Sequence, residues 1–351
     1  MNFRSISVDM VPVCADQHAA DGFAIVLCGL AAEIHDHWEP TKDGAAAGDG
    51  TDIESLHELR IAIRRTRSII SNATHIISEQ TLDLFRDEFT WLAGSTGPTR
   101  DFDVFIASWH GYVDGLDTQT VVGLVPVLER LRSQRRAAFE ALVEDLRSRR
   151  AERLLELWTS ELNTLSTDTN NTGSKSTDTN NTGTKSSGTK RSGTKPIGKH
   201  AHRRLGRVVA KRIEAAQDHL VARGRTMSTH SDAAQLHALR KNAKKLRYLI
   251  DCFDALLPNK SAKQFVRRLK ALQEDLGRHQ DAEVHAAQLE VIADEFKREH
   301  ASKATMTALD QLGKRIDAER FAARADIADH FERYDSKKVR RALNTMLHRL
   351  R

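Results

Sequence analysis

Cysteine, proline and aromatic side chains are scarce in this chain of 351 residues. Its three cysteines, Cys14, Cys28 and Cys252, are odd in number and form no CxxC pair. That excludes a disulfide framework and a zinc knuckle, and fits a reducing compartment. Cys252, beside Leu249 in a helical run, reads as a small buried hydrophobe. Six prolines and 5% aromatics leave a chain rich in Ala, Leu, Arg and Glu, a balance that favours helix over sheet. No sustained alternation of period two is found, so a sheet protein is excluded. The chain does not open with a charged segment followed by an apolar one, so no signal peptide is expected. The longest apolar stretch, residues 23–32, is too short to span a bilayer. The expectation is a cytoplasmic all-α protein with no membrane partner.

Against those absences stands one segment unlike the rest. Residues 166–185 are a tandem decapeptide, STDTNNTGSK then STDTNNTGTK, followed by SSGTK and RSGTK. Ser, Thr, Asn, Gly and Lys bury too little apolar surface to offset ordering entropy, so 166–199 reads as a flexible linker or insert. It separates a first helical half, 1–165, from a second, 200–351. Apolar residues recur at three and four spacing, as in Leu128, Leu131, Phe139, Leu142 and Leu146. Breaks are expected at Pro40, Gly97-Pro98 and Pro258-Asn259, and between segments 260–277 and 281–299.

The halves resemble each other at an offset of 180 residues. LHELRIAIRRTRSII (56–70) aligns with LHALRKNAKKLRYLI (236–250), identical at six of fifteen positions. Phe85, Leu92, Gly97, Asp101 and Val104 recur as Phe265, Leu272, Gly277, Asp281 and Val284, and Arg135 and Arg153 as Arg315 and Arg333. A constant offset of this kind implies duplication of a helical unit. Two similar four-helix-bundle-like halves about a pseudo-twofold axis, with a basic cleft between them, follow as the expected architecture.

On a helical wheel, His57, Arg60, Arg64 and Arg67 share an arc of about 80°, a stripe about 15 Å long. Leu56, Leu59, Ile63 and Ile70 lie immediately beside it. His237, Arg240, Lys244 and Arg247 repeat the stripe, and Arg65, Lys241 and Lys245 widen it. Like charges at i,i+4 destabilise a helix by about 0.2–0.5 kcal/mol per pair. A duplicated cationic row bordering a core therefore calls for a compensating anion. The net charge of +6 divides into +4 on the insert, +8 on these two helices and −6 on all else. Arg forks and Lys point charges at this spacing suit a ligand with many closely spaced phosphates. Tyr248 and Asn242 are the only aromatic and amide in either copy. Base reading would need more of both, so nucleic acid is expected to bind weakly or not at all.

The pattern H-x-x-R-x-x-x-[RK]-[RK]-x-R, followed about forty residues later by G-x-x-x-D, resembles the conserved histidine α-helical domain, CHAD. The first copy is His57, Arg60, Arg64, Arg65 and Arg67, then Gly97 and Asp101. The second is His237, Arg240, Lys244, Lys245 and Arg247, then Gly277 and Asp281, with LKALQEDLG at 269–277. This resemblance implies two four-helix bundles around a basic central pore that binds inorganic polyphosphate and associates with polyphosphate granules. The stripes would be the polyphosphate contacts, with Lys270, Arg135 and Arg315 as weaker additions. The insert at 166–199 departs from the family pattern, and no ExExK signature of an accompanying triphosphate-tunnel domain is present.

Two rival functions remain open. Sixteen histidines invite a metal-dependent phosphohydrolase, for which His35-Asp36 is the nearest motif, and a nucleic-acid scaffold is the other. Residues 57–60 read HELR, and Ile61 removes any HExxH match. Asp101, Asp103, Asp281 and Glu283 follow expected breaks, where acids suit helix starts. No catalytic residue, cofactor or metal site is expected.

Overall fold

The helix-favouring composition is realised across the described residues. A computed structural model describes residues 12–47, 51–172, 198–227 and 231–351. Among these are twelve α-helices: α1 (Ala19–Ala47), α2 (Thr51–Asn72), α3 (Glu79–Ser95), α4 (Gly97–Val113), α5 (Thr118–Gly123), α6 (Val125–Leu146), α7 (Arg149–Thr172), α8 (Leu205–Arg225), α9 (Ala233–Cys252), α10 (Asn259–Arg298), α11 (Lys303–Tyr334) and α12 (Lys337–His348). No strand occurs among the described residues, which hold only two isolated bridges. Helix starts are set by side chains that accept from orphan backbone N–H groups: Ser78 for α3, Asp117 for α5, Ser302 for α11 and Ser336 for α12. Asp232 and Gln235 form a reciprocal capping box that fixes the start of α9.

Three boundaries differ from those read in the sequence. Pro40 lies inside α1. Ile34 and Trp38 before it and Thr41 after it are all buried, so the packing of α1 on α2 carries the helix through. The Thr41 hydroxyl donates to the His37 carbonyl at 2.6 Å in the same turn. Residues 277–281 do not break the chain either, and α10 runs unbroken for 40 residues. Gly97-Pro98 does start a new helix, because proline suits a first turn and lacks the N–H that continuation needs. Gly277-Arg278 has no such constraint, and buried Leu276, His279 and Ala282 keep one face of α10 in contact. Finally, α7 continues to Thr172, seven residues past the expected boundary at 165. The remainder of the insert, 173–197, lies outside the described residues.

Two hydrophobic cores hold the helices. The larger joins α1, α2, α3, α7, α8, α9 and α12 with the near end of α10 and the far ends of α6 and α11. The smaller joins α4 and α6 with the remaining parts of α10 and α11, through Phe105, Leu131, Ile292 and Leu312. Each core takes residues from both sides of the insert. Trp158 of α7 sits edge-on to Phe85 and Phe89 of α3, with centroids 4.6 and 5.2 Å away. The ring of Phe331 lies so close to Gly224 that a Cβ there would come within 1.9 Å of it. Each fully buried Leu, Ile or Phe contributes about 1.5–3 kcal/mol relative to exposure. The consequence for function is placement: α2 and α9 both bury one apolar face in the larger core and pack against each other.

A cationic cavity between α2 and α9

The apolar face of each helix dictates where its cations go. Leu56, Leu59, Ile63 and Ile70 on α2, and Leu236, Leu239, Ala243 and Leu246 on α9, are buried. Their cationic neighbours are therefore held at the edge of the core. Between the helices, with α3 as a third wall, lies a cavity of about 660 Å³. It is lined by Arg64, Arg67, Ser68 and Ser71 of α2, Arg86, Asp87 and Thr90 of α3, and His237, Arg240, Lys241, Lys244, Lys245 and Tyr248 of α9. The lining holds seven Lys or Arg side chains and one acid, Asp87; of the seven, Arg86 also pairs with Glu79 and Asp83 outside the lining.

Beside the cavity, two ion pairs stand at equivalent sequence positions. Arg60 Nη2 lies 4.0 Å from Asp101 Oδ1, and Arg240 Nη2 lies 3.5 Å from Asp281 Oδ1. The arginine side chains are 12% and 17% exposed, whereas the carboxylates are 44% and 41% exposed. The guanidiniums are thus buried while their counter-acids stay half in water, at distances too long for strong hydrogen bonds. Arg60 Nη1 also donates to Thr96 Oγ1 at 3.1 Å, but the buried Arg240 Nε has no hydrogen-bond partner. A buried, unpartnered guanidinium N–H is costly unless a ligand oxygen satisfies it.

The cations feel one another as well as the core. Burial, then Arg64, lowers the Arg60 guanidinium to about 10. Burial lowers Arg240 too, against the opposing pull of Asp281. Lys244, buried between Arg240, Arg64 and Arg60 with Asp281 as its acid, is pushed down to about 7. Burial raises the carboxyls of Asp101 and Asp281, although Arg60 and Arg240 respectively pull them down. Arg67 donates to Thr90 Oγ1 at 3.2 Å, and burial lowers its guanidinium.

Other expected site residues have separate partners. Arg65 turns toward α1 and pairs with Glu33 at 3.5 Å. Arg247 Nε donates to Asp251 at 2.6 Å, one turn along its own helix. His57 lies outside the cavity lining, and burial, then Arg100, lowers its imidazole. His237 lines the cavity with Nδ1 against Gln280 Oε1. Arg135 is bound to the buried Asp103 at 2.9 Å and covers the Phe139 ring, a structural role in α6. Arg315 caps the end of α4 by donating to the Asp114 carbonyl at 3.0 Å. Lys270 is exposed and sits 3.8 Å from Glu274. These three lie apart from the cavity lining. Asp101 and Asp281 do not start helices: α4 begins at Gly97, and Asp281 is in the middle of α10.

Sequence reasoning missed Arg86 and Asp87, because their counterparts at the 180-residue offset are Val266 and Arg267 and repeat nothing. It also missed Arg100 as a neighbour of the Asp281 carboxyl. Among the described residues, no group of three or more His, Cys, Asp or Glu is placed to hold a metal ion, and His35 and Asp36 are exposed on α1. No helix among them is long and apolar enough to cross a membrane.

Comparison with known proteins gives three findings. A family model described as the CHAD domain matches residues 29–290. Among solved structures, the chain is similar to the CHAD domain from the plant Ricinus communis, at 22% identity and a TM-score of 0.61, covering 90% of this chain and 95% of that one. It is also similar to PptA from Streptomyces chartreusis, at 17% identity and a TM-score of 0.64, covering 90% and 99%. No curated protein sequence matches it. At these identities the structural likeness establishes the all-α fold.

Proposed function

The chain belongs to the CHAD domain family, and on that premise we propose that its α2/α9 cavity binds inorganic polyphosphate. One observation carries the reading: seven cations against one acid line a single cavity, several of them partly withdrawn from water. Such a site is electrostatically incomplete until a polyanion enters. Phosphate oxygens would satisfy the unpartnered Arg240 Nε and relieve the repulsion among Arg60, Arg64, Arg240 and Lys244. A linear phosphate polymer supplies one charge per short repeat, which matches cations spaced by single helical turns. The role is binding, and the reading invokes no catalytic residue, cofactor or metal. Association with polyphosphate granules is the corresponding cellular expectation.

The favoured ligand differs from nucleic acid in lacking bases. Tyr248 is the single aromatic side chain lining the cavity, too few to stack successive bases. Competition at equal phosphate concentration tests this. Polyphosphate should displace labelled RNA from the protein, and RNA should fail to displace polyphosphate. Displacement of polyphosphate by RNA would overturn the assignment.

A further inference from the structure

The −6 assigned to everything outside the two stripes and the insert conceals a third concentration of positive charge. Residues 333–351 hold seven Lys or Arg and a single acid, Asp335, for a net +6. Most of that charge lies on α12. Its apolar face, Val339, Ala342, Leu343, Met346 and Leu347, is buried in the larger core. The opposite face carries Lys337, Lys338, Arg340, Arg341 and His348, all exposed, with only Asn344 and Thr345 between them. No acid interrupts it.

Little in the fold compensates this face. Arg340 Nε reaches Asp335 at 3.8 Å, while Lys337, Lys338 and Arg341 have no ion-pair partner among the described residues. Lys337 and Lys338 also occupy the first turn, which holds no acid and where the helix dipole disfavours cations. Lys337 repels Arg341 one turn on. Packing of the apolar face, with Ser336 as cap, holds the helix against this opposition. The segments that flank α12 are bound to α8: Tyr334 donates to Gln217, Arg225 pairs with Asp335 at 2.6 Å, and Arg351 pairs with Glu214. Arg207 and Lys211 of α8 are exposed too, and Gly206 lies against the Leu350 carbonyl just past the end of α12. α8 also packs on α9, whose cations line the cavity.

We propose that the exposed face of α12 is a second phosphate-polymer contact, separate from the cavity, which holds the part of a long polyphosphate chain that the cavity cannot contain. This rests on the polyphosphate reading above. The chemistry selects among anionic partners. A membrane would use an apolar face, and that of α12 is already buried in the protein. Single-stranded nucleic acid would use stacking aromatics, and the face has none. What remains is a row of point charges on a convex surface, suited to a run of phosphates. Two linked contacts on one chain strengthen each other through effective concentration, so the second need not be tight alone.

The test replaces Lys337, Lys338, Arg340 and Arg341 with Ser together, all exposed positions, and checks by circular dichroism that helicity is kept. Affinity is then measured for a short polyphosphate that fits within the cavity and for a long chain, across a salt series. The short chain should bind variant and wild type alike. The long chain should bind the variant about tenfold more weakly, with its salt slope reduced by about 3 for four lost phosphate contacts. An unchanged long-chain affinity and slope would overturn the proposal, as would equal losses for both lengths. Loss of duplex RNA binding without loss of long-chain binding would assign the face to nucleic acid and overturn it too. Failure of the wild type to bind even the short chain would instead strike at the cavity reading itself.

Discussion

The stripes on α2 and α9 are close relatives in sequence and unlike in how their cations are used. On α2, Arg60 is tied to Thr96 and Asp101, Arg65 to Glu33 and Arg67 to Thr90, leaving Arg64 and Arg67 as its cations in the cavity. On α9, His237, Arg240, Lys241, Lys244 and Lys245 all line the cavity, although Arg240 also pairs with Asp281 and His237 meets Gln280, and Arg247 lies outside the lining, bonded to Asp251. The lesson is that a repeated charge pattern does not repeat a role. What a cation faces across the helix packing decides whether it is a fastener or an open ligand contact. In this protein α9 supplies most of the open contacts, and α2 shares its cations between site and scaffold.

The comparison can be broken most sharply by unequal deletion. Arg240→Ala, Lys241→Ala and Lys244→Ala together should weaken polyphosphate binding about a thousandfold or more, because charge-assisted bonds contribute about 1.5 kcal/mol or more each. Arg64→Ala with Arg67→Ala, two contacts against three, should cost about a hundredfold on the same scale. Calorimetric titration of both variants checks the ranking, and equal losses would refute the asymmetry.

Lys244 gives the next largest effect, and its sign differs between binding and stability. Its folded pKa of about 7 lies below the free value of 10.5. Between those values the unfolded chain binds more protons, so the folding stability linked to Lys244 rises with pH across that window. A polyanion prefers the protonated form, so affinity should fall as pH rises above about 7, by up to about tenfold per unit. Titrations in buffers of different ionisation enthalpy should show proton uptake on binding. Lys244→Arg should abolish both the uptake and the pH dependence.

The two acids provide a smaller test in the opposite direction. Asp101→Asn with Asp281→Asn removes the half-exposed carboxylates that compete with the ligand for Arg60 and Arg240. Affinity should tighten about fivefold, roughly 1 kcal/mol of relieved repulsion, while Tm falls because the buried guanidiniums lose their counter-charges. The smallest effect belongs to Arg65→Ala. It removes a partly exposed pair with Glu33 worth about 0–1 kcal/mol of stability and should leave polyphosphate affinity unchanged.

These contrasts also show what a linear sequence carries. Both stripes were legible because like charges at helical spacing, beside an apolar row, are unfavourable and stand out. The all-α class was legible from composition and period. The separate uses of Arg65 and Arg247 were hidden, since each depends on an acid whose proximity only packing or rotamer choice decides. Pro40 was a misleading break because buried residues on both sides of it outweigh the lost hydrogen bond. The continuity of α10 was masked by its resemblance to a segment that proline does interrupt. The positive face of α12 escaped because it was averaged with acidic helices, although its local charge rivals that of either stripe.

The central claim is that the cavity cations are held for a phosphate polymer. Its most direct test is calorimetric titration of polyphosphate into the wild type and into a variant with Arg60, Arg64, Arg240 and Lys244 all replaced by Ala. The account predicts saturable binding to the wild type and none measurable to the variant, with helicity by circular dichroism kept in both. Unchanged affinity in a variant of undiminished helicity would contradict it.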